Sequence, residues 1–212
     1  MINYDYINEY VRNTIRKNDG ILKELEEFAE KNHVPIIQPE VARLMQVLGR
    51  IIRPKNILEV GTAIGYSAIL LSEILEPDGK IDTIDRYELM IERAKENIKR
   101  AGLSDVINVI TGDALDVLKC LDKKYDLIFL DAAKGQYMEF LPECMRMLKP
   151  KGVLLSDNVL YKGMVANDEL VVRRKKTIVR RMRDYLDVIC NCDELETSLI
   201  PVGDGFAISY RK

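Results

Sequence analysis

Asp131 ends the apolar run Leu127-Ile-Phe-Leu130, and Lys134 follows three residues later. A short run of that kind reads as a fully buried strand of a parallel sheet. In an open α/β sheet, ligands sit just beyond the carboxyl ends of the strands. An acid at that edge, with a lysine in the next loop, is placed to do chemistry. Taken alone, the pattern also fits an Asp that caps the next helix; the rest of the chain decides against it. A second polar pair, Asp157-Asn158, follows another apolar run, Val153-Leu-Leu-Ser156. Asp131, Asp157 and Asn158 thus offer three oxygen ligands from the ends of two strands expected to be neighbours. All-oxygen ligation selects a hard divalent ion such as Mg²⁺. Zinc is disfavoured, because no Cys or His belongs to the set. On its own, Asp157-Asn158 also fits a turn.

A nucleotide-like site precedes these residues. Glu59-Val-Gly61-Thr-Ala-Ile-Gly65 falls at a strand-to-helix turn, where glycines let the backbone approach a ligand closely. Pyrophosphate cradles use G-x-G-x-x-G. This chain has G-x-x-x-G, which suits a ligand without phosphates and disfavours a nicotinamide dehydrogenase. Asp85 ends the next strand, where an acid can accept both ribose hydroxyls. Gly112-Asp113-Ala114 ends the third, where an acid can accept from an adenine amino group. The glycine turn, Asp85 and Gly112-Asp113 carry weight as a set, in this order along alternating elements.

The elements that must hold these residues are legible in outline. Residues 3–17, 19–32 and about 40–52 have apolar residues at helical spacing, with Asp19-Gly20 as punctuation. His33-Val-Pro-Ile-Ile-Gln-Pro39 is expected to be extended, since residues before proline avoid the helical region. Strands are expected at Asn56–Val60, Lys80–Asp85, Val106–Ile110, Asp126–Leu130 and Val153–Ser156. Helices are expected at about 66–75, 87–101 and 136–148, the last stopped by Lys149-Pro-Lys-Gly152. Alternating strands and helices imply βαβ units and a largely parallel sheet. Thr197–Val202 and Phe206–Tyr210 flank Gly203-Asp-Gly205, which is hairpin chemistry. The expectation is an α/β Rossmann-like sheet, mostly parallel, closed by one antiparallel hairpin strand. It forms a single domain, residues 1–212, with a helical addition at 1–52 and the core at 53–212.

Bulk properties narrow the class. The chain is 47% hydrophobic and 31% charged, as in folded soluble domains rather than disordered ones. No apolar run approaches the ~20 residues needed to span a bilayer, and no signal-peptide pattern is seen at the start. A cytoplasmic protein without a membrane partner is expected. Cys120, Cys144, Cys190 and Cys192 form no zinc-like pair of pairs and read as buried or idle thiols. His33, the sole histidine, reads as a helix-end or packing residue. Net charge is −2, so contact with a polyanion would need a local patch. Leu170 to Arg183 supplies one, with seven basic residues and no acid. Read as a helix, it buries Val171, Ile178, Val179 and Met182. Arg173, Arg174, Lys175, Lys176, Arg180, Arg181 and Arg183 then lie largely outward. Such runs are often just solvated faces; seven like charges without acids favour a phosphate-tracking patch.

Glu59–Ser67 (EVGTAIGYS), Asp85, Gly112-Asp-Ala114, Asp131-Ala-Ala-Lys134 and Asp157-Asn158 resemble the metal-dependent, S-adenosylmethionine-dependent O-methyltransferases of the catechol and caffeoyl-CoA group. The match covers about residues 33–212. Several segments are similar to the bacterial branch that methylates 5-hydroxyuridine in tRNA: His33–Ile37, Gly61–Ser67, Asp131–Tyr137, Asp157–Leu160 and Pro201–Gly205. The resemblance implies a class I methyltransferase fold. It places Ile37, Ser67, Asp85, Asp113, Ala114 and Asp131 around the cofactor and implies a homodimer. By this reading Lys134 removes the acceptor proton or stabilises the oxyanion. The base role requires a pKa below the usual ~10.4. The divalent ion, when bound, lowers the pKa of the acceptor hydroxyl. The basic run and Lys162 would contact tRNA phosphates, which position but do not read sequence. A small catechol-like or hydroxycinnamoyl acceptor is the alternative substrate, with the basic run then incidental. Intact Asp131, Lys134, Asp157 and Asn158 argue against a non-catalytic nucleotide-binding module.

Overall fold

A computed structural model describes residues 2–212. Its centre is a seven-stranded sheet in the order β3-β2-β1-β4-β5-β7-β6. The strands are β1 (Asn56–Val60), β2 (Lys80–Asp85), β3 (Ile107–Thr111), β4 (Tyr125–Leu130), β5 (Leu148–Asp157), β6 (Leu195–Ile200) and β7 (Phe206–Arg211). The first five are parallel; β7 runs antiparallel to both β5 and β6. The chain winds outward from β1 to β3, then crosses back to lay β4 on the other side of β1. Strand order therefore reverses between β1 and β4, where open α/β sheets hold their ligands.

Among the described residues eight α-helices flank the sheet: α1 (Asp5–Thr14), α2 (Gly20–Asn32), α3 (Pro39–Ile52), α4 (Tyr66–Ser72), α5 (Glu88–Arg100), α6 (Ala114–Cys120), α7 (Tyr137–Met147) and α8 (Lys176–Asn191). Side chains alternate across a strand, so each strand feeds two cores. Ile57, Ile81, Leu127, Phe129 and Leu155 face one side, with Leu22, Leu25, Val41 and Met45 of α2 and α3. Leu58, Val60, Ile128, Leu130 and Leu154 face the other, with Leu118 of α6, Phe140 and Met147 of α7, and Met182 and Tyr185 of α8. Ile57, Leu58, Val60 and Leu127 to Leu130 are completely buried, as strands covered on both faces must be. No helix among the described residues is long and apolar enough to cross a membrane.

Several boundaries differ from expectation, each for a physical reason. The first helix stops at Thr14 rather than at 17, and Ile15 is already extended (φ −70°, ψ 148°). The helix expected at about 136–148 does end before Lys149-Pro-Lys-Gly152, but that segment lies within β5 as the strand's irregular entry. The register shifts there, and Lys151 sits at φ 64°, so the proline breaks no regular ladder. The basic run is not one helix. Asp168–Leu170 and Arg173–Lys175 are separate 3-10 turns, and α8 begins only at Lys176. His33 caps the end of α2 in the left-handed region and is exposed. Of the four free thiols only Cys144 is buried.

Candidate active site

The glycine turn after β1 is shaped by how near β4 comes. Gly61 has φ 112°, and a Cβ there would stand 2.3 Å from the Asp131 carbonyl oxygen. Only glycine permits that approach. Asp85, at the end of β2, fastens the turn: one carboxylate oxygen accepts from Ala63 N at 2.9 Å. The other accepts from the backbone N–H groups of Arg86 (2.7 Å) and Tyr87 (3.0 Å). Asp85 thus shapes the floor and retains part of its capacity for a ligand hydroxyl. Asp113 has two duties as well. It caps α6 by accepting from Leu115 N at 3.1 Å, and it pairs with Arg86 at 3.2 Å.

Glu59 lies beneath this floor and does not line the cavity. Thr62 and Thr83 hydroxyls meet at 2.7 Å, and Thr83 donates onward to Glu59 Oε2 at 2.5 Å. The other oxygen, Oε1, is buried without a partner. Burial pushes the Glu59 carboxyl up to about 8, against the opposing pull of Ser67 and Thr83; Asp131 and Asp85 push the same way as burial. Ser67 faces this carboxylate without closing a hydrogen bond on Oε1.

The reactive end lies where β4 and β5 stop. Lys134 Nζ donates to Asp131 Oδ1 at 2.5 Å. Asp157 is buried, and its backbone is fixed from below by Tyr137, whose hydroxyl bridges the carbonyls of Leu130 (2.9 Å) and Asp157 (3.1 Å). Burial first, then Asp131, raises the Asp157 carboxyl to about 7; Lys134 opposes the rise. Asn158 follows with φ 57°. Among the described residues no three His, Cys, Asp or Glu side chains gather as a metal site. The set here is different: two acids and an amide oxygen. Two carboxylates crowded at one buried edge, with a single lysine between them, fit a hard cation.

One cavity of about 860 Å³ joins these parts. Ile37, Gly61, Ser67, Asp85, Gly112, Asp113, Ala114, Asp131, Lys134, Asp157, Asn158 and Lys162 all line it. Ile37 arrives on the extended segment ahead of α3. The basic residues Arg173, Arg174, Lys175, Lys176, Arg180 and Arg181 do not line the cavity. Arg181 donates to Gly135 O at 3.0 Å and pairs with Glu139, next to Lys134. Lys175 stacks over Tyr161, beside Lys162, at 5.6 Å. Arg183 turns inward instead, donating to Val165 O and Met164 O and pairing with Asp168.

A family profile described as O-methyltransferase matches residues 12–212. The chain belongs to that family. A catechol O-methyltransferase of Niastella koreensis is 30% identical over 171 residues, covering 78% of this chain and 77% of its own. A Staphylococcus aureus structure, provisionally described as a caffeoyl-CoA O-methyltransferase, is 35% identical with a TM-score of 0.91, covering 98% of this chain and 100% of its own. A Bacillus cereus O-methyltransferase solved with SAH is 28% identical with a TM-score of 0.87, covering both chains fully at 100%. The fold is the Rossmann-like class I methyltransferase fold, as expected from the sequence.

The cavity also brings in residues that local patterns did not single out as ligand groups. Gln38, Arg86, Tyr87, Phe140 and Asp204 share the cavity wall. Gln38 and Tyr87 adjoin expected positions and carry no chemical signature of their own. Asp204 had one: it is an acid between two glycines, in a turn whose reach only the sheet order reveals.

Proposed function

We propose that this O-methyltransferase moves the methyl group of S-adenosylmethionine to one oxygen of a vicinal dioxygen pair on a planar ring, with Mg²⁺ or another hard divalent ion as its metal. The observation that carries the reading is the junction of Lys134, Asp131, Asp157 and Asn158 with the glycine turn in one cavity. Ser67, Asp85 and Asp113 bind the nucleoside and amino-acid ends of the donor. Glu59, buried beneath the glycine turn, braces that floor through Thr83 and Thr62. Asp131, Asp157 and Asn158 would hold the ion, which would supply Lewis-acid lowering of the acceptor hydroxyl's pKa. Lys134 takes that proton or holds the oxyanion. The acceptor oxygen then attacks the methyl carbon in line, and the carbon–sulfur electrons stay on sulfur, leaving S-adenosylhomocysteine. Positioning supplies much of the rate, and a dry wall of Ile37 and Phe140 favours a step in which opposite charges vanish.

A small catechol-like or hydroxycinnamoyl acceptor is what the names of the relatives favour, over most of the chain length. A second reading has one observation behind it. Arg173, Arg174, Lys176 and Arg180 are exposed and have no ion-pair partner among the described residues, and their sequence neighbours Arg181 and Lys175 touch Gly135 and Tyr161, which adjoin the cavity-lining Lys134 and Lys162 in the chain. That basic surface suits a phosphate backbone, with 5-hydroxyuridine of tRNA extruded to the metal and converted to 5-methoxyuridine; its 5-oxygen and 4-carbonyl mimic a catechol. A homodimer belongs to the same proposal, supported by exposed apolar side chains on α1 and α3 (Tyr6, Tyr10, Val47, Ile51).

The test is methyl transfer from labelled S-adenosylmethionine to catechol, caffeoyl-CoA and tRNA carrying 5-hydroxyuridine, with and without EDTA. Chelator-sensitive label in the small acceptors alone supports the first reading and rejects the tRNA. Label confined to tRNA supports the second reading and rejects the small acceptors. Label that persists in EDTA rejects the metal.

A further inference from the structure

We propose that Asp204 is a positioning residue that holds the loop from Asn158 to Lys162, and thereby the Asn158 amide, in its working place. This rests on reading Asp131, Asp157 and Asn158 as the metal ligands. The loop has an unusual backbone: Asn158, Tyr161 and Lys162 have φ of 57°, 44° and 59°. Residues other than glycine stay in that region only when their surroundings over-determine it.

The turn between β6 and β7 does so. Val159 N donates to Gly205 O and Leu160 N to Asp204 O, both at 3.0 Å. Lys162 N donates to Asp204 Oδ1 at 2.5 Å. Two of these three bonds end on Asp204, one on its backbone and one on its carboxylate. The contact is close enough that a Cβ on Gly205 would lie 2.7 Å from Leu160 N. The turn cannot drift away, because β7 pairs with β5 up to Asp157 opposite Phe206. On its other side Gly203 packs against Val41 of α3, where a Cβ would stand 2.6 Å from that side chain. Asp204 is therefore a fixed post between the sheet, α3 and the ligand-bearing loop. It acts through a hydrogen bond accepted from Lys162 N. An amide oxygen can accept the same bond, whereas a methyl group cannot.

The test is Mn²⁺ binding followed by electron paramagnetic resonance, beside calorimetric affinity for S-adenosylhomocysteine. Asp204→Ala is expected to lose roughly tenfold or more in Mn²⁺ affinity, as for other residues that orient metal ligands, with S-adenosylhomocysteine affinity unchanged. Asp204→Asn is expected to bind Mn²⁺ like the unmodified chain. If the alanine variant is unstable, Asp204→Ser, too short to reach Lys162 N, serves instead. Native-like Mn²⁺ affinity in the alanine or serine variant overturns this role alone. So does an asparagine variant as weak as the alanine one, since charge rather than the hydrogen bond would then be acting. If the unmodified chain takes up no Mn²⁺, the metal reading and this role fall together.

Discussion

Glu59→Gln tests the electrostatics of the cofactor floor. The carboxyl is fully buried, has one unpartnered oxygen, and is pushed from 4.5 up to about 8. In the folded chain it stays protonated where the unfolded chain has already released its proton. The folded state then binds more protons, so stability falls as pH rises from about 4.5 to about 8 and levels off above. Between pH 6 and pH 9 the loss attributable to Glu59 is ~2.5 kcal/mol, at 1.36 kcal/mol per unit of displacement. Glutamine mimics the protonated acid and does not titrate. For a chain of this length that difference corresponds to roughly 5–10 °C in melting temperature. Thermal melts of the cofactor-free protein are therefore expected to show the unmodified chain falling faster with pH than Glu59→Gln. Other titrating groups cancel in the comparison, since both chains carry them. Parallel pH profiles would refute the reasoning, because they would mean that Glu59 is ionised in the fold with a partner elsewhere.

Three further outcomes are expected. Lys134→Ala should lower kcat by ~10²–10⁴ while leaving S-adenosylhomocysteine affinity intact; unchanged turnover removes Lys134 from the mechanism. Gly61→Ala places a Cβ 2.3 Å from a backbone oxygen at φ 112°. It should cost ~3 kcal/mol or more in urea unfolding and weaken cofactor binding, and a near-native midpoint would show that β1 and β4 can part there. Under the tRNA reading, Arg173→Glu with Arg174→Glu should weaken tRNA binding and flatten its salt dependence by roughly two phosphate contacts; an unaltered slope rejects the patch.

How much of this was legible in the sequence depended on range. The central strands stood out because burial on both faces demands unbroken apolar runs such as Leu127–Leu130, and the hairpin stood out through Gly203-Asp-Gly205. Helix α6 did not: Ala114–Cys120 is seven residues long and buries only Leu118, too little to display a helical period. The 3-10 turn at Arg173–Lys175 escaped for a related reason. Consecutive basic residues say where solvent lies, not which backbone carries them. Glu59 was visible as an acid beside a glycine turn. Its depth followed from strand parity, since it shares a sheet face with Ile57, which packs under α2 and α3.

The strand-end acids show a further limit on local reading. Asp85 and Asp113 were expected as ligand groups, yet both are already engaged by the protein: Asp85 by N–H groups of the glycine turn and of residues 86–87, Asp113 by the start of α6 and by Arg86. The two uses are linked physically. A carboxylate whose oxygens are already fixed by N–H donors presents its remaining lone pairs in one direction, with little left to order when a ligand arrives. Asp131 and Asp157 are arranged the other way. They face each other across Lys134 with few backbone donors, so their charge is left for something the cavity admits. The same residue type therefore serves two ends of one cavity. What separates them is their partners: Asp85 accepts three backbone N–H groups and Asp113 one together with Arg86, whereas Asp131 and Asp157 crowd one lysine, with a single backbone N–H, that of Asn158, on Asp157.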